Sequence, residues 1–108
     1  MIELWQTEWC PASRRVRQRL TELDVDYVIR QVPVEKDERT GLVDATGSDV
    51  IPVLVHRDDV VVGEDEIRRW LDETIGEPAG ADAHRLKAEK ARRRYLEEEC
   101  ECSQPATR

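Results

Sequence analysis

A cysteine followed at once by proline constrains this chain more than any other feature. It lies between an apolar run, Ile2 to Trp5, and a stretch over residues 11–23 whose apolar residues recur at helical spacing. Because Pro favours the first helical position, Cys10 is predicted to be the N-cap of that helix. Its sulfur would face unpaired N–H groups and the positive end of the helix dipole, which stabilise a thiolate. The sequence therefore predicts a reactive thiolate at a strand-to-helix corner, and the plainer alternative is a small buried cysteine in a turn.

Composition limits the classes of function. The chain has 108 residues and a formal net charge of −7, with 38% of its residues charged, so general binding to nucleic acid is excluded. No apolar run is long enough for a signal peptide or a membrane span, which predicts a cytoplasmic protein with no membrane partner. Its three cysteines are an odd number, which argues against a disulfide framework.

Periodicity predicts the order β-α-β-α-β-β-α over residues 1–76 as one domain. Residues 77–108 are predicted to supply a linker, a charged helix and a disordered tail. The third strand is expected at Val50–Val55, and His56–Asp59 is expected to form the turn of an antiparallel hairpin. Phe is absent, so the core should consist of Val, Ile and Leu, with the tryptophans at positions 5 and 70 as its large members. The arginines of the first helix, at positions 14, 15, 17 and 19, are expected to be mostly solvated.

Three separated motifs stand on these predicted elements. Residues 10–13 read Cys-Pro-Ala-Ser, Ile51-Pro52 opens the third strand, and residues 63–67 read Gly-Glu-Asp-Glu-Ile at the start of the last helix. In this order they resemble glutaredoxins and the thioredoxin-like N-terminal domain of glutathione S-transferases. The resemblance covers about two thirds of the chain. It implies an α/β, thioredoxin-like fold with a four-stranded mixed sheet flanked by helices, to which the C-terminal charged helix is added.

The resemblance implies monothiol redox chemistry. Cys10, preceding Pro11, would attack a disulfide sulfur as the thiolate, and with Ser13 at the resolving position the motif cannot close an internal disulfide. Ser13 would donate a hydrogen bond to the thiolate, or would simply be a serine of the first helical turn. Glutathione or another low-molecular-weight thiol is implied as co-substrate, and disulfide-containing proteins are implied as substrates. No metal is expected.

The resemblance also implies a thiol-binding surface. Trp9 precedes the nucleophile, and a cis bond before Pro52 would turn the N–H and C=O of Ile51 outward to pair with the cysteinyl part of glutathione like an added strand. Glu64 and Asp65 would bind the α-amino group of a γ-glutamyl moiety beside the helix N-terminus. The plainer interpretations are a trans proline on an edge strand and acids that only complement the helix dipole.

One position departs from the glutaredoxin pattern. Glutaredoxins usually carry a lysine three residues before the active cysteine, where it meets the glycine carboxylate of glutathione. This chain has Thr7 there, with Glu8 beside it, and neither suits an anion. The hypothesis follows that the thiol is not glutathione but a γ-glutamyl-cysteine-like or other small thiol.

The sequence favours a thiol–disulfide oxidoreductase acting through Cys10. The alternative is a module that holds a thiol or an iron–sulfur cluster through Cys10 without turnover, and a third class is an interaction domain that acts through the tail helix. Cys100-Glu101-Cys102 could be a metal clip or a resolving pair. Because Cys-x-Cys lacks the other ligands of a zinc site, we interpret it as a helix end with incidental thiols.

Overall fold

The chain divides into two compact units, Met1–Pro78 and Ala79–Arg108. A computed structural model describes residues 1–76 and 81–97, so the predicted linker, Cys100, Cys102 and the tail that follows them lie outside the described residues. The elements are β1 (Ile2–Gln6), α1 (Pro11–Glu22), β2 (Tyr27–Gln31), a 3-10 helix (Lys36–Glu38), α2 (Thr40–Thr46), β3 (Val53–His56), β4 (Asp59–Val62), α3 (Glu64–Thr74) and α4 (Ala81–Glu97). The predicted element order is confirmed.

The four strands form one mixed sheet in the order β2-β1-β3-β4. β1 pairs in parallel with β2 and antiparallel with β3, and β3 pairs antiparallel with β4. Near the end of β1, Trp5 faces Val53, which in turn faces Val62. Consequently β1, β2 and β4 finish, and β3 begins, at the same end of the sheet. We call this end the top of the sheet.

Aliphatic side chains fill both faces of the sheet. One buried cluster lies under α1 and α3, and its members are Ile2, Leu4, Val16, Leu20, Leu23, Leu54, Ile67 and Leu71. A smaller cluster of Val32, Leu42 and Val53 lies on the other face. Trp70 packs at the margin of the first cluster and Trp5 at the margin of the second, and both are only partly buried. The expectation that they are large members of the core is therefore wrong in degree, since the aliphatic residues fill the centre.

The arginines of α1 divide into two groups. Arg14 and Arg15 are exposed, as expected, but the side chains of Arg17 and Arg19 are only 17% and 11% exposed. Arg19 pairs with Asp72 of α3 at 2.7 Å and with Glu22 at 3.0 Å. The expectation of solvation is wrong for these two because neighbouring elements cover α1 and supply acceptors for its guanidinium groups.

The third strand begins three residues later than expected. The peptide bond between Ile51 and Pro52 is cis, and the β3 ladder starts at Val53. The hairpin that follows is tighter than expected, because His56 pairs with Asp59 across a turn in which Arg57 has a φ of 56°. Among residues 1–76 and 81–97, no helix has both the length and the apolar composition needed to cross a bilayer.

α4 forms the described part of the second unit. It is a helix of 17 residues with an ion pair of 2.8 Å between Arg85 and Asp82 within its first turns. The side chain of Leu86 is exposed. The charged helix expected after the linker is therefore present.

Candidate functional site

The top of the sheet brings together the three predicted motifs. Cys10 follows β1, the Ile51–Pro52 bond precedes β3, and Glu64 follows β4. The carbonyl of Pro52 accepts a hydrogen bond of 2.9 Å from the N–H of Gly63, which joins the second motif directly to the third. The topology thus gathers residues that are separated by more than fifty positions of sequence.

Cys10 is the N-cap of α1, as predicted. Its backbone is extended (φ −70°, ψ 118°), Pro11 opens the helix, and the Cys10 carbonyl accepts the first helical bond, from Arg14 at 3.0 Å. Its Sγ accepts the N–H of Ser13 at 3.4 Å. The residue is part-buried rather than enclosed. The sulfur can therefore be reached by a reactant while it uses a donor that the helix leaves unpaired.

The pKa of the Cys10 thiol is lowered. Partial burial acts in the opposite direction, but the hydroxyl of Ser13, the N–H groups of Ser13 and Ala12, and the charge of Arg15 together outweigh it. Hydrogen bonds and a nearby cation favour the charged form of an acid. A larger share of the thiol is consequently ionised near neutral pH than in a free cysteine, and the thiolate is the nucleophilic form.

The hydroxyl of Ser13 has no hydrogen-bond partner within the described residues. The residue is fully buried (0% exposed), and its Oγ is one of the buried polar atoms that the structure leaves unsatisfied. A buried hydroxyl without a partner is costly, and near a thiol it is available to donate once the thiol ionises. This arrangement is compatible with the predicted role of Ser13 as a donor to the thiolate.

Glu64 and Arg15 form a bidentate ion pair. Nε and Nη2 of Arg15 donate to the two carboxylate oxygens of Glu64 at 2.6 and 2.8 Å, which ties α1 to α3. The hydrogen bond from Arg15 lowers the pKa of the Glu64 carboxyl, with a further contribution from Arg68. Glu64 thus lies in the predicted place, already engaged by a cation. A carboxylate has lone pairs for additional donors, so an ammonium group can share it.

The remaining predicted residues differ in their exposure. Asp65 is exposed in the first turn of α3, where Val62, Gly63, Glu64, Asp65 and Glu66 line a cavity of about 330 Å³. Trp9 is 77% exposed and Pro11 is exposed, whereas Pro52 is fully buried. Trp9 therefore presents an uncovered aromatic surface immediately before the nucleophile.

The backbone of Ile51 is unpaired. In the described part of the chain, neither its N–H nor its C=O forms a hydrogen bond, although Pro52 and Val53 on the following side are held by β4. Unpaired backbone groups at the start of a strand are what an extended ligand uses when it adds to a sheet. This is the backbone that the resemblance assigns to the cysteinyl part of a thiol ligand, and that role stays a prediction.

Two polar arrangements at the top of the sheet were missed by the sequence analysis. Gln6 is fully buried, and its amide contacts Arg17, Glu8 and Gln31, while Arg17 also donates to the carbonyl of Thr7 at 3.4 Å. This network holds the loop before Cys10. The signal in the sequence was a glutamine at an inward-facing position of a buried strand, which requires polar partners.

The second missed arrangement centres on Arg39. Its guanidinium donates to the carbonyls of Pro33, Val34 and Asp49, each at 2.9 Å. These acceptors are backbone atoms on both sides of a loop, so the contacts of Arg39 could not be predicted from the residue types in the sequence.

Comparison with known proteins agrees with this geometry. Residues 9–74 match the family described as glutathione S-transferase, N-terminal domain. No curated protein matches the chain.

Solved structures show the same fold. A glutathione S-transferase from Rhodospirillum rubrum F11 is 25% identical, with a TM-score of 0.62 over 90% of this chain and 45% of that one. FzlA from C. crescentus is 27% identical, with a TM-score of 0.62 over 89% and 45%. A glutathione S-transferase from Sinorhizobium meliloti 1021 is 24% identical, with a TM-score of 0.64 over 86% and 42%. The expected thioredoxin-like α/β fold is confirmed, and the chain spans less than half the length of these three structures.

Proposed function

The chain belongs to the glutathione S-transferase N-terminal domain family, and from that premise we propose that it is a glutaredoxin-like, monothiol thiol–disulfide oxidoreductase. Its substrates would be mixed disulfides between a small γ-glutamyl thiol and a protein cysteine. The observation that carries the proposal is the Cys10 sulfur, which caps α1 at 3.4 Å from the Ser13 N–H, at the same end of the sheet as the unpaired Ile51 backbone.

The reaction divides into two exchanges. In the first, the Cys10 thiolate attacks the small-thiol sulfur of the mixed disulfide and forms a new disulfide bond to it, the S–S bond to the protein cysteine breaks, and the protein thiolate leaves and takes a proton from water. In the second, the thiolate of another small thiol attacks the small-thiol sulfur bound to Cys10. This step releases the oxidised small-thiol disulfide and restores the Cys10 thiolate. Over the cycle, one mixed disulfide and one small thiol become one protein thiol and one small-thiol disulfide, so the small thiol that enters in the second exchange is the reductant of the protein cysteine.

Several features of this chain support the use of Cys10 alone. The helix terminus and Arg15 favour its thiolate, which is both the attacking and the leaving group of the cycle. The residue at the resolving position is Ser13, which cannot form a disulfide. The bond between the Gly63 N–H and the Pro52 carbonyl fixes the unpaired Ile51 backbone relative to the cavity at the start of α3.

The charges at the top of the sheet support a small thiol other than glutathione. Arg15 is held by Glu64, and Lys36 lies 3.8 Å from Asp49. Thr7, with Glu8 beside it, stands where a lysine would suit a glycyl carboxylate. The γ-glutamyl end of such a ligand is therefore better matched than its glycyl end. A γ-glutamyl-cysteine-like thiol fits this distribution because its second carboxylate lies closer to the sulfur.

The test measures turnover of defined mixed disulfides. A cysteine peptide is linked in turn to glutathione, γ-glutamylcysteine and cysteine, and release of the peptide thiol is followed with the matching thiol as reductant. The wild-type chain should release the peptide, and Cys10→Ser should not, while a variant with Cys100→Ser and Cys102→Ser should keep the wild-type rate. Mass spectrometry should show Cys10 carrying the small thiol between the two exchanges.

Two results would contradict the proposal. Equal rates for the Cys10→Ser variant and the wild type would remove the nucleophile from the mechanism. A coloured, Cys10-dependent cluster after anaerobic reconstitution, without peptide release, would favour the alternative module that holds an iron–sulfur cluster. A clear preference for glutathione would leave the reaction class intact and reject only the proposed thiol.

A further inference from the structure

The segment that joins β2 to β3 leaves the top of the sheet and returns to it. Residues 33–50 form this segment, which contains the 3-10 helix and α2 and ends one residue before Ile51. Its first part follows Val32, whose N–H is bonded to the Gln6 carbonyl at 3.1 Å. Both ends of the segment therefore lie at the top of the sheet, beside the proposed thiol-binding backbone.

The side chain of Arg39 joins the beginning of this segment to its end. Its Nε donates to the Pro33 carbonyl, its Nη2 to the Val34 carbonyl and its Nη1 to the Asp49 carbonyl, all at 2.9 Å. The first two acceptors lie near the beginning of the segment, and the third lies near its end. A planar guanidinium can satisfy acceptors in different directions without changing its own shape, which an ammonium cannot do with the same geometry.

The backbone of Arg39 is itself fixed between two helical elements. Its N–H donates to the carbonyl of Lys36 at 3.3 Å, and its carbonyl accepts the N–H of Val43 at 3.0 Å. It is both the C-cap of the 3-10 helix and the N-cap of α2, where it makes no side-chain capping bond. The guanidinium is thus free to act across the segment.

The end of the segment, residues 48–50, is held by a second hydrogen bond. The Ser48 hydroxyl accepts the N–H of Val50 at 3.0 Å, and Arg39 holds the carbonyl of Asp49. Both bonds hold the same peptide unit, Asp49–Val50, which is separated by one residue from Ile51, whose own N–H and C=O are unpaired in the described chain. The position of that free backbone therefore depends on the residues that precede it.

We propose that Arg39 is a positioning residue for the thiol-binding backbone. By linking the two ends of the 33–50 segment, Arg39 holds Ile51 where an extended thiol ligand can pair with its backbone. The inference rests on the proposed function of Cys10 and Ile51. It assigns Arg39 to ligand placement and not to the chemistry of the sulfur, because Arg39 contacts carbonyl groups that lie outside the sulfur's own hydrogen bonds.

The experiment compares Arg39→Met with Lys36→Met. Lys36 belongs to the same segment, carries the same charge and is 61% exposed, with only a distant contact to Asp49, so its variant controls for the loss of one positive charge. Arg39→Met should raise KM for the γ-glutamylcysteine mixed disulfide by about tenfold, since small displacements of a binding group weaken productive binding, with kcat nearly unchanged. Lys36→Met should leave both within about twofold.

Two further measurements separate positioning from other roles. The pH profile of Cys10 alkylation should be the same in Arg39→Met as in the wild type. Esterifying the ligand's carboxylates should leave the ratio of the variant and wild-type KM values unchanged. If Arg39→Met and the wild type have equal KM values for the ester, Arg39 binds the ligand's carboxylates directly, and the inference is overturned.

A readout that does not depend on turnover covers the case of a poorly folded variant. In Arg39→Lys, amide hydrogen exchange at Val50, whose N–H is bonded to the Ser48 hydroxyl, should be accelerated by about tenfold relative to Lys36→Met, while amides of β1 should be unchanged. Unchanged exchange at the Val50 amide would refute the positioning role. An inactive wild-type chain with accelerated exchange in Arg39→Lys would refute the proposed function and leave the structural role of Arg39 in place.

Discussion

Replacing Ser13 by alanine should separate the acidity of Cys10 from the stability of the fold. The Ser13 side chain is fully buried, its Oγ has no hydrogen-bond partner among the described residues, and its hydroxyl helps to lower the pKa of the Cys10 thiol. The backbone N–H that contacts the sulfur at 3.4 Å is retained in the variant. Ser13→Ala therefore removes one donor to the thiolate with almost no change in volume.

The magnitude follows from the cost of a hydrogen bond to a charged group. Such a bond contributes about 1.5–3 kcal/mol, and we take the lower value because the Ser13 hydroxyl is not bonded in the structure. A loss of about 1.5 kcal/mol reduces the thiolate fraction roughly tenfold at a pH below both pKa values. The more basic thiolate is intrinsically more nucleophilic by about threefold, so disulfide exchange should slow by only about threefold.

The free energy of unfolding of Ser13→Ala should rise, although its disulfide exchange slows. A buried hydroxyl without a partner costs about 1–3 kcal/mol, so its removal should raise the free energy of unfolding at acid pH, where Cys10 is a thiol. A lowered pKa in the folded state adds stability as pH rises through the folded pKa toward the unfolded value. Because this gain is smaller in Ser13→Ala, the variant's advantage should shrink as pH rises.

The assay uses proteins in which Cys100 and Cys102 are serine, so that only Cys10 reports. Thiolate absorbance in the ultraviolet is measured against pH, exchange is measured with a small neutral disulfide, and unfolding is measured in urea at acid and at alkaline pH. An unchanged thiolate titration together with reduced stability at every pH would refute the reasoning. It would show that the hydroxyl is bonded to another group and that the helix N–H groups alone stabilise the sulfur.

The remaining predictions concern stability and are measured by urea unfolding. Leu54→Ala should lower the free energy of unfolding by about 2–5 kcal/mol, because Leu54 is fully buried between the sheet and two helices, whereas Val60→Ala, at a side chain 44% exposed in the same hairpin, should change it by less than about 0.5 kcal/mol. Similar losses for both would contradict the assignment of the core. Gly47 ends α2 with a φ of 77° and has no atom within 4 Å of an added Cβ, so Gly47→Ala should cost about 1 kcal/mol through backbone conformation alone. Gly41→Ala, inside the same helix and equally uncrowded, should add about 0.4–1 kcal/mol, and effects of equal sign at the two glycines would reject this explanation.

Much of the fold could be predicted because its signals are local. The proline after Cys10 marked the start of α1, and the apolar runs on both sides of a polar turn marked β3 and β4. Each of these signals acts through the backbone preferences of a few neighbouring residues. Motif order then led to the thioredoxin-like fold, which the comparisons confirm.

Errors arose where neighbours in space override local pattern. The arginines of α1 have the pattern of a solvated helix face, but Gln6 of β1 binds Arg17, and Asp72 of α3, which is distant in sequence, binds Arg19. The start of β3 was placed too early because an apolar run continues through Val50, while the ladder with β1 begins only at Val53. Strand boundaries depend on which backbone groups find a partner, and the sequence does not contain that information locally.

The thiol at the N-terminus of a helix could be predicted from four residues, because a proline and the unpaired amides of the first turn fix that geometry locally. The groups that meet at the same end of the sheet depend on how the whole chain folds. The sheet order brings Ile51 and Glu64 to the same end as Cys10, Glu64 takes Arg15 as its partner, and Arg39 closes a loop through carbonyls that every residue carries. Hydrogen bonds to backbone atoms have no signature in side-chain identity, so these contacts become visible only once the chain is folded.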